Sequence, residues 1–188
     1  RGYKKEAVTL PNLTYIDNLE FSETGELASL SQALRSKKGH FQPTIISYGD
    51  VLFNKYIPQA LCQEQDDCVI FVDSNWKDQS SYARLGGFAE CTIPNSRKAF
   101  NAKIYLKQLG KIVPDEAIHG VWMGFLKLSS SAAGQINDLL VEILADPANR
   151  QADIPHLLQE LLQRKWPVRV LYTVGDWLDI NSLEDVVQ

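Results

Sequence analysis

The sequence predicts an α/β protein on a largely parallel sheet, and three observations point there. Two short apolar runs, residues 44–47 and 68–72, each give way to an acidic residue, Asp50 and Asp73. Continuous runs of that length suit strands covered on both faces. The segment between them, residues 54–62, is helix-sized and carries Pro58 where a first turn tolerates it. Strand, helix and strand in that order describe a βαβ unit. The third observation is helical periodicity late in the chain. Ile136, Leu139, Leu140, Ile143 and Leu144 fall on one helical face, and Ile154, Leu157, Leu158, Leu161 and Leu162 repeat the spacing.

The remaining elements rest on local chemistry. Residues 14–16 are β-prone and precede a loop at 17–23. Thr24 is placed to cap a helix with Glu26 in its first turn and Leu27, Leu30 and Leu34 on one face. Residues 36–42 form a basic, glycine-containing loop. Residues 88–93 and 103–109 read as strands about a loop, and 118–128 as a longer strand interrupted by Gly120 and Gly124. Asp153 caps the second late helix, with Pro155 just inside it. Residues 168–172 form a strand, and 175–180 come soon after it. Ser182 with Asp185 then opens a terminal helix by the capping-box pattern. With no repeat, low-complexity tract or linker, residues 1–188 read as one domain. The chain opens on Arg1 rather than Met, in a stretch that reads as the end of a strand, so a longer parent protein is expected.

Composition bounds the function classes. A chain of 188 residues can bury a full core, and 45% apolar with 22% charged residues is the balance of a soluble globular protein. The formal charge of -4, with Lys and Arg scattered, gives no sequence-independent pull toward nucleic acid. Cys62, Cys68 and Cys91 show neither CxxC nor Cys/His ligand spacing, which suggests a reducing, cytoplasmic compartment. No apolar run reaches membrane-spanning length, and no basic-then-apolar leader is visible.

Asp50 is the best-placed chemical group. It comes after a strand at its carboxyl end, behind Gly49, which admits a ligand to the backbone; in open α/β sheets ligands bind at that edge. Helix capping is the competing reading of Asp50. Asp73 occupies the same edge one strand later, with Trp76 close behind. Asp176 and Asp179 flank Trp177, and Asp176 reads as a turn former. Magnesium is served by few carboxylates, its other positions going to water and substrate phosphate. Spacing alone does not bring Asp50 to Asp179. His40, His119 and His156 are too dispersed for a metal or a proton relay, and GxSxG, HExxH, GxGxxG and GxxxxGK[ST] are all absent.

Several segments, in order, resemble one family. ISYGDVLF (residues 46–53) resembles the strand that carries the metal-binding Gly-Asp of nucleoside-triphosphate transferases. WLDIN with SLEDV (residues 177–186) resembles their C-terminal segment, where the second metal-binding aspartate sits. LGK at 109–111 and HGVWMGFLKLS at 119–129 are similar to the strand pair that lines the acceptor pocket. IDNLEFSETGELASL at 16–30 resembles cytidylyltransferases acting on small phospho- or phosphono-amines. With RGYKKEAVTLPNLTYIDN at 1–18, the chain is most similar to the cytidylyltransferase half of bifunctional phosphoenolpyruvate phosphomutases of phosphonate biosynthesis.

The resemblance implies a Rossmann-like three-layer nucleotidyltransferase of the nucleotide-diphospho-sugar transferase type, with a mixed, mostly parallel sheet and its N-terminal part missing. It implies that Asp50 and Asp179 are the catalytic pair and hold Mg²⁺, and that Tyr48, Gly49, Asp73, Trp76, Lys111 and Trp122 meet substrate. The partners implied are CTP and a small phosphonate or phosphate acceptor, with no nucleic acid or membrane and with homo-oligomerisation left open. The ammonium of 2-aminoethylphosphonate would meet Asp73 with Trp76, or Trp122; a cation over a desolvated ring gains about 2 kcal/mol. Core packing is the competing reading of both tryptophans. Relatives hold the triphosphate on a Gly-rich basic loop that is expected upstream of Arg1, so this chain alone is expected to be inactive. Val121 stands where relatives commonly carry a glutamate. The alternatives are a choline-phosphate or sugar-phosphate nucleotidyltransferase and a non-catalytic binding module. The parent's mutase half, an isomerase, is absent from this chain.

Overall fold

The computed structural model describes residues 1–78 and 87–180. The terminal helix expected from Ser182 and Asp185 lies outside them. In chain order the elements are α1 (Glu26–Arg35), β1 (Thr44–Ser47), β2 (Val51–Phe53), α2 (Tyr56–Gln63), β3 (Cys68–Asp73), β4 (Phe88–Cys91), β5 (Ile104–Leu109), β6 (Gly120–Leu128), α3 (Ser130–Ala145), α4 (Ile154–Gln163), β7 (Arg169–Thr173) and β8 (Trp177–Asp179). They fall into two compact units, residues 1–42 with 130–157 and residues 43–129 with 158–188. No linker marks the borders, which lie between adjacent residues and once within α4. Among the described residues no helix is long and apolar enough to cross a membrane.

The first unit is helical. α1 buries Leu27, Leu30 and Leu34, and α3 buries Ile136, Leu139, Leu140 and Ile143, the faces that periodicity assigned. The expected cap moves by one residue. Gly25 is the N-cap, while the Thr24 hydroxyl donates to the Glu20 carbonyl at 2.9 Å. A Cβ on Gly25 would lie 2.4 Å from the Ala152 carbonyl oxygen, so only glycine fits. That approach lets Ala152 accept from the Leu27 N–H at 3.1 Å, while the Glu26 carboxylate accepts from the Ile154 N–H at 2.9 Å. The starts of α1 and α4 thereby satisfy each other's open donors. Residues 14–16 join no strand. Their surroundings are local instead: the Tyr15 hydroxyl donates to the Leu10 carbonyl at 2.6 Å, and Asp17 pairs with Arg1 and Lys5.

The second unit holds a six-stranded sheet in the order β1-β6-β3-β7-β5-β4, with β4 also reaching the start of β6. β1 and β3 both run antiparallel to β6, so they share a direction as expected, but β6 separates them. A strand inserted from residues 120–128 is invisible to a local pattern. The sheet is mixed; among the described residues β3 and β7 form the parallel pair and the other pairings are antiparallel, a smaller parallel share than expected. β1 lies at the edge and is half-buried, whereas β3 and β6 are buried throughout. Burying Lys127 within β6 is offset by its ammonium, which donates to the Glu64 carbonyl at 3.0 Å and the Asp66 carbonyl at 2.7 Å, just past the end of α2. The expected interruptions are absent, since β6 runs unbroken from Gly120 to Leu128; Gly124, with φ +79° and a would-be Cβ 2.6 Å from the Tyr48 ring, instead lies where the strand's register against β3 shifts.

Candidate active site

The chain leaves β1, turns at Gly49 and Asp50, and enters β2, which pairs antiparallel with β8 as a separate two-stranded ribbon. Val51 faces Asp179, Leu52 faces Leu178 and Phe53 faces Trp177. One step beyond, the Ile180 N–H donates to the Asp50 carbonyl at 2.8 Å. Asp50 and Asp179 are therefore backbone neighbours across the ribbon, a convergence that spacing could not supply. Asp50 is exposed and belongs to the turn, so the alternation of a strand does not fix its side chain; Asp179 is half-buried. Among the described residues a Cβ on Gly49 would meet nothing within 4 Å, so they leave the space beside Asp50 open.

β8 is positioned from the end of β3. Asp73, only 1% exposed, accepts from the Asn75 N–H at 2.8 Å and the Gly175 N–H at 3.1 Å through Oδ1. Its Oδ2 accepts from the Trp177 indole N–H at 2.8 Å. One buried carboxylate thus fastens the turn between β7 and β8 and the first residue of β8. Asp176, the expected turn former, has φ +65°, and its carbonyl accepts from the Asn54 N–H at 3.0 Å. The Tyr56 hydroxyl meets the Thr173 hydroxyl at 2.5 Å, tying the first turn of α2 to the end of β7.

Three expected substrate contacts are built into the interior. Asp73 faces protein N–H donors, as above. Trp76 belongs to the core cluster, edge-on to Phe88 with centroids 5.4 Å apart. Trp122 is 5% exposed; its indole N–H donates to the Phe125 carbonyl at 2.7 Å and its ring meets Tyr48 edge-on at 5.5 Å. Core packing, the competing reading of both tryptophans, is what this geometry fits. Lys111 is exposed, just past β5 and Gly110. Sequence reasoning missed Trp177, Gly175 and Thr173, because their partners Asp73 and Tyr56 lie about a hundred residues away by chain count; only the Gly175-Asp176 turn signal marked the place.

The titratable groups narrow the chemistry. Burial pushes the Cys68 thiol up to about 12 and the Cys91 thiol up to about 11, so neither offers a thiolate nucleophile near neutral pH. Nδ1 of His119 accepts from the Cys91 N–H at 3.1 Å. Among the described residues no cluster of three or more His, Cys, Asp or Glu assembles.

No family model matches the chain, and no curated protein matches it. Solved structures do. The chain is similar to the inositol-1-phosphate CTP transferase from T. maritima over 90% of its own length and 60% of that chain, with 16% identity and a TM-score of 0.57. It is similar to the CTP:phosphocholine cytidylyltransferase from Streptococcus pneumoniae over 92% and 65%, with 9% identity and a TM-score of 0.56. A putative glucose-1-phosphate thymidylyltransferase from Bacillus anthracis matches over 93% and 62%, with 14% identity and a TM-score of 0.60. The likeness shows the fold, the mixed α/β architecture of nucleotidyltransferases. The chain spans less than two thirds of each of these structures.

Proposed function

We propose that the parent protein is a nucleotidyltransferase in which Asp50 and Asp179 hold the Mg²⁺ of a bound nucleotide. The observation that carries this reading is the β2–β8 register, which makes the two aspartates neighbours beside the open space at Gly49. The fold supports the reaction class. Two of the similar structures are CTP enzymes, which favours a cytidylyl group. The acceptor we propose is a small phosphonate such as 2-aminoethylphosphonate, with the chain as the C-terminal part of a bifunctional phosphoenolpyruvate phosphomutase; this rests on the resemblance of its sequence segments. Phosphocholine is the second reading, favoured by the likeness to the S. pneumoniae enzyme.

In the proposed reaction an acceptor oxygen attacks the α-phosphorus of CTP and pyrophosphate leaves. Bound between the aspartates, the ion would supply neutralisation of charge on the phosphate oxygens. The chain's own contribution is position. Asp73 fixes Gly175 and Trp177, the ribbon register then fixes Asp179 against Asp50, and Gly49 leaves room for a ligand at the backbone. Asp73 is thus proposed as a positioning residue rather than the partner of the acceptor's ammonium.

The intact protein should release pyrophosphate from CTP with 2-aminoethylphosphonate and Mg²⁺. Asp50→Asn or Asp179→Asn should slow release on the order of a thousandfold, the equivalent of several kcal/mol of charge stabilisation. Unchanged rates in both variants would remove the metal assignment. Release with phosphocholine or a sugar phosphate alone would move the acceptor. Release with none of them would leave a binding module.

A further inference from the structure

Apart from the region of the nucleotidyl-transfer reading, a cleft opens where β5 parts from β7. The two strands pair through Ile104 opposite Val170 and Tyr105 opposite Arg169, with the Leu106 N–H donating to the Val168 carbonyl at 2.9 Å one step on. β7 continues past them through Leu171 and Tyr172, and the loop at residues 92–103 is fastened across it. The Tyr172 hydroxyl donates to the Ile93 carbonyl at 3.0 Å, and the Asn95 amide donates to the Ser74 hydroxyl at 2.7 Å. Between loop and strand lies a cleft of 420 Å³. Small-molecule sites run from about 300 to 1,000 Å³ and combine an apolar floor with a few polar groups. Here Ile104, Val170 and Leu171 are apolar walls, and Arg97, Arg169 and Phe100 stand among them.

Charge and exposure say what the cleft fits. Among the described residues no Asp or Glu lines it, although the whole chain carries a formal charge of -4. Arg97 is exposed, and its side chain makes no hydrogen bond or ion pair among the described residues. Arg169 donates through Nη1 to the Ile104 carbonyl at 3.0 Å, while its Nε is buried without a hydrogen-bond partner, 4.0 Å from Asp66. Asp66 is itself held by Lys103 at 3.1 Å, so this one carboxylate is shared by two cations, Lys103 and Arg169, and Arg97 adds a third positive charge at the cleft. Phe100 is 88% exposed, and its ring makes no aromatic or cation contact among the described residues. A guanidinium takes carboxylate or phosphate oxygens through paired N–H donors, and an aromatic face covers another planar ring.

We propose that this cleft binds a small organic anion bearing a planar ring. The probes are phenyl phosphate and benzoate, which separate a phosphate from a carboxylate source. The test is amide NMR on the whole chain, with EDTA present to keep divalent ions off Asp50 and Asp179. One or both probes should shift the Arg97, Phe100 and Ala102 amides saturably. Arg97→Ala should weaken that binding at least about tenfold. Phe100→Ala should weaken it too, while leaving the weaker binding of inorganic phosphate unchanged. Both side chains are exposed, so the variants keep the fold, and Asp50→Ala should bind the probes as the parent does. The proposal fails if neither probe moves those amides, or if both variants bind like the parent.

Discussion

Asp50 and Asp73 end segments of the same pattern, an apolar strand with an acid after it, and they reach opposite surroundings. Asp50 is exposed beside a glycine with empty space around it. Asp73 is buried and accepts from the N–H groups of Asn75, Gly175 and Trp177. The difference lies in the path of the chain beyond each strand. After β1 the chain turns outward into a thin ribbon, with Leu52 and Leu178 exposed as a facing pair. After β3 it stays at the centre of the sheet, where β7 and β6 flank it on either side. A strand-end carboxylate is therefore a place where chemistry is possible. Burial and donor supply decide whether it serves a ligand or the fold.

The largest expected effect breaks the comparison on stability. Asp73→Ala strips acceptors from the Gly175 N–H and the Trp177 indole, and each buried unsatisfied donor costs about 1–3 kcal/mol. The total loss should be about 3–5 kcal/mol by urea unfolding. Asp50→Ala, at an exposed site, should stay within about 0.5 kcal/mol of the parent. Equal losses in the two variants would show that the aspartates do the same job.

The helices were legible because a period of 3.6 is a local property: Leu27, Leu30 and Leu34 or Ile136 and Leu140 carry it alone. Strand direction was legible for β1 and β3, but their adjacency was not, because β6 comes from far along the chain. Thr24 looked like a cap by residue type, and Gly25 took the position because Ala152 comes too close for any side chain. In the candidate site, Asp50 was visible as a strand-end acid. Its pairing with Asp179 needed the ribbon register, and the turn of Asp73 into the core needed Trp177.

Gly49 sharpens the comparison from the ligand's side. Its φ is outside the left-handed region and a Cβ meets nothing within 4 Å, so Gly49→Ala should change stability by less than about 0.5 kcal/mol. If nucleotide approaches the backbone there, pyrophosphate release by the intact protein should nevertheless fall at least about tenfold, a loss of about 1.4 kcal/mol in the transition state. A fully active Gly49→Ala variant would place the ligand elsewhere along the ribbon.

Asp17 supplies a third kind of carboxylate, neither open to a ligand nor buried among N–H donors, and the smallest effect. The Arg1 guanidinium at 2.9 Å, then the Lys5 ammonium at 3.1 Å, hold its carboxyl down at about 2, below the usual 3.8. The folded value is the depressed one, so the pair's contribution is fully present above the unfolded value and is lost as pH falls from 3.8 through about 2. A carboxyl-carbon NMR titration should find Asp17 ionising near the lower figure. Arg1→Gln should raise it more than Lys5→Gln, since the Arg1 hydrogen bond is the leading cause, and added salt should raise it in the parent by screening. An Asp17 that titrates at the ordinary value in the parent would mean that the N-terminal segment is not held against it.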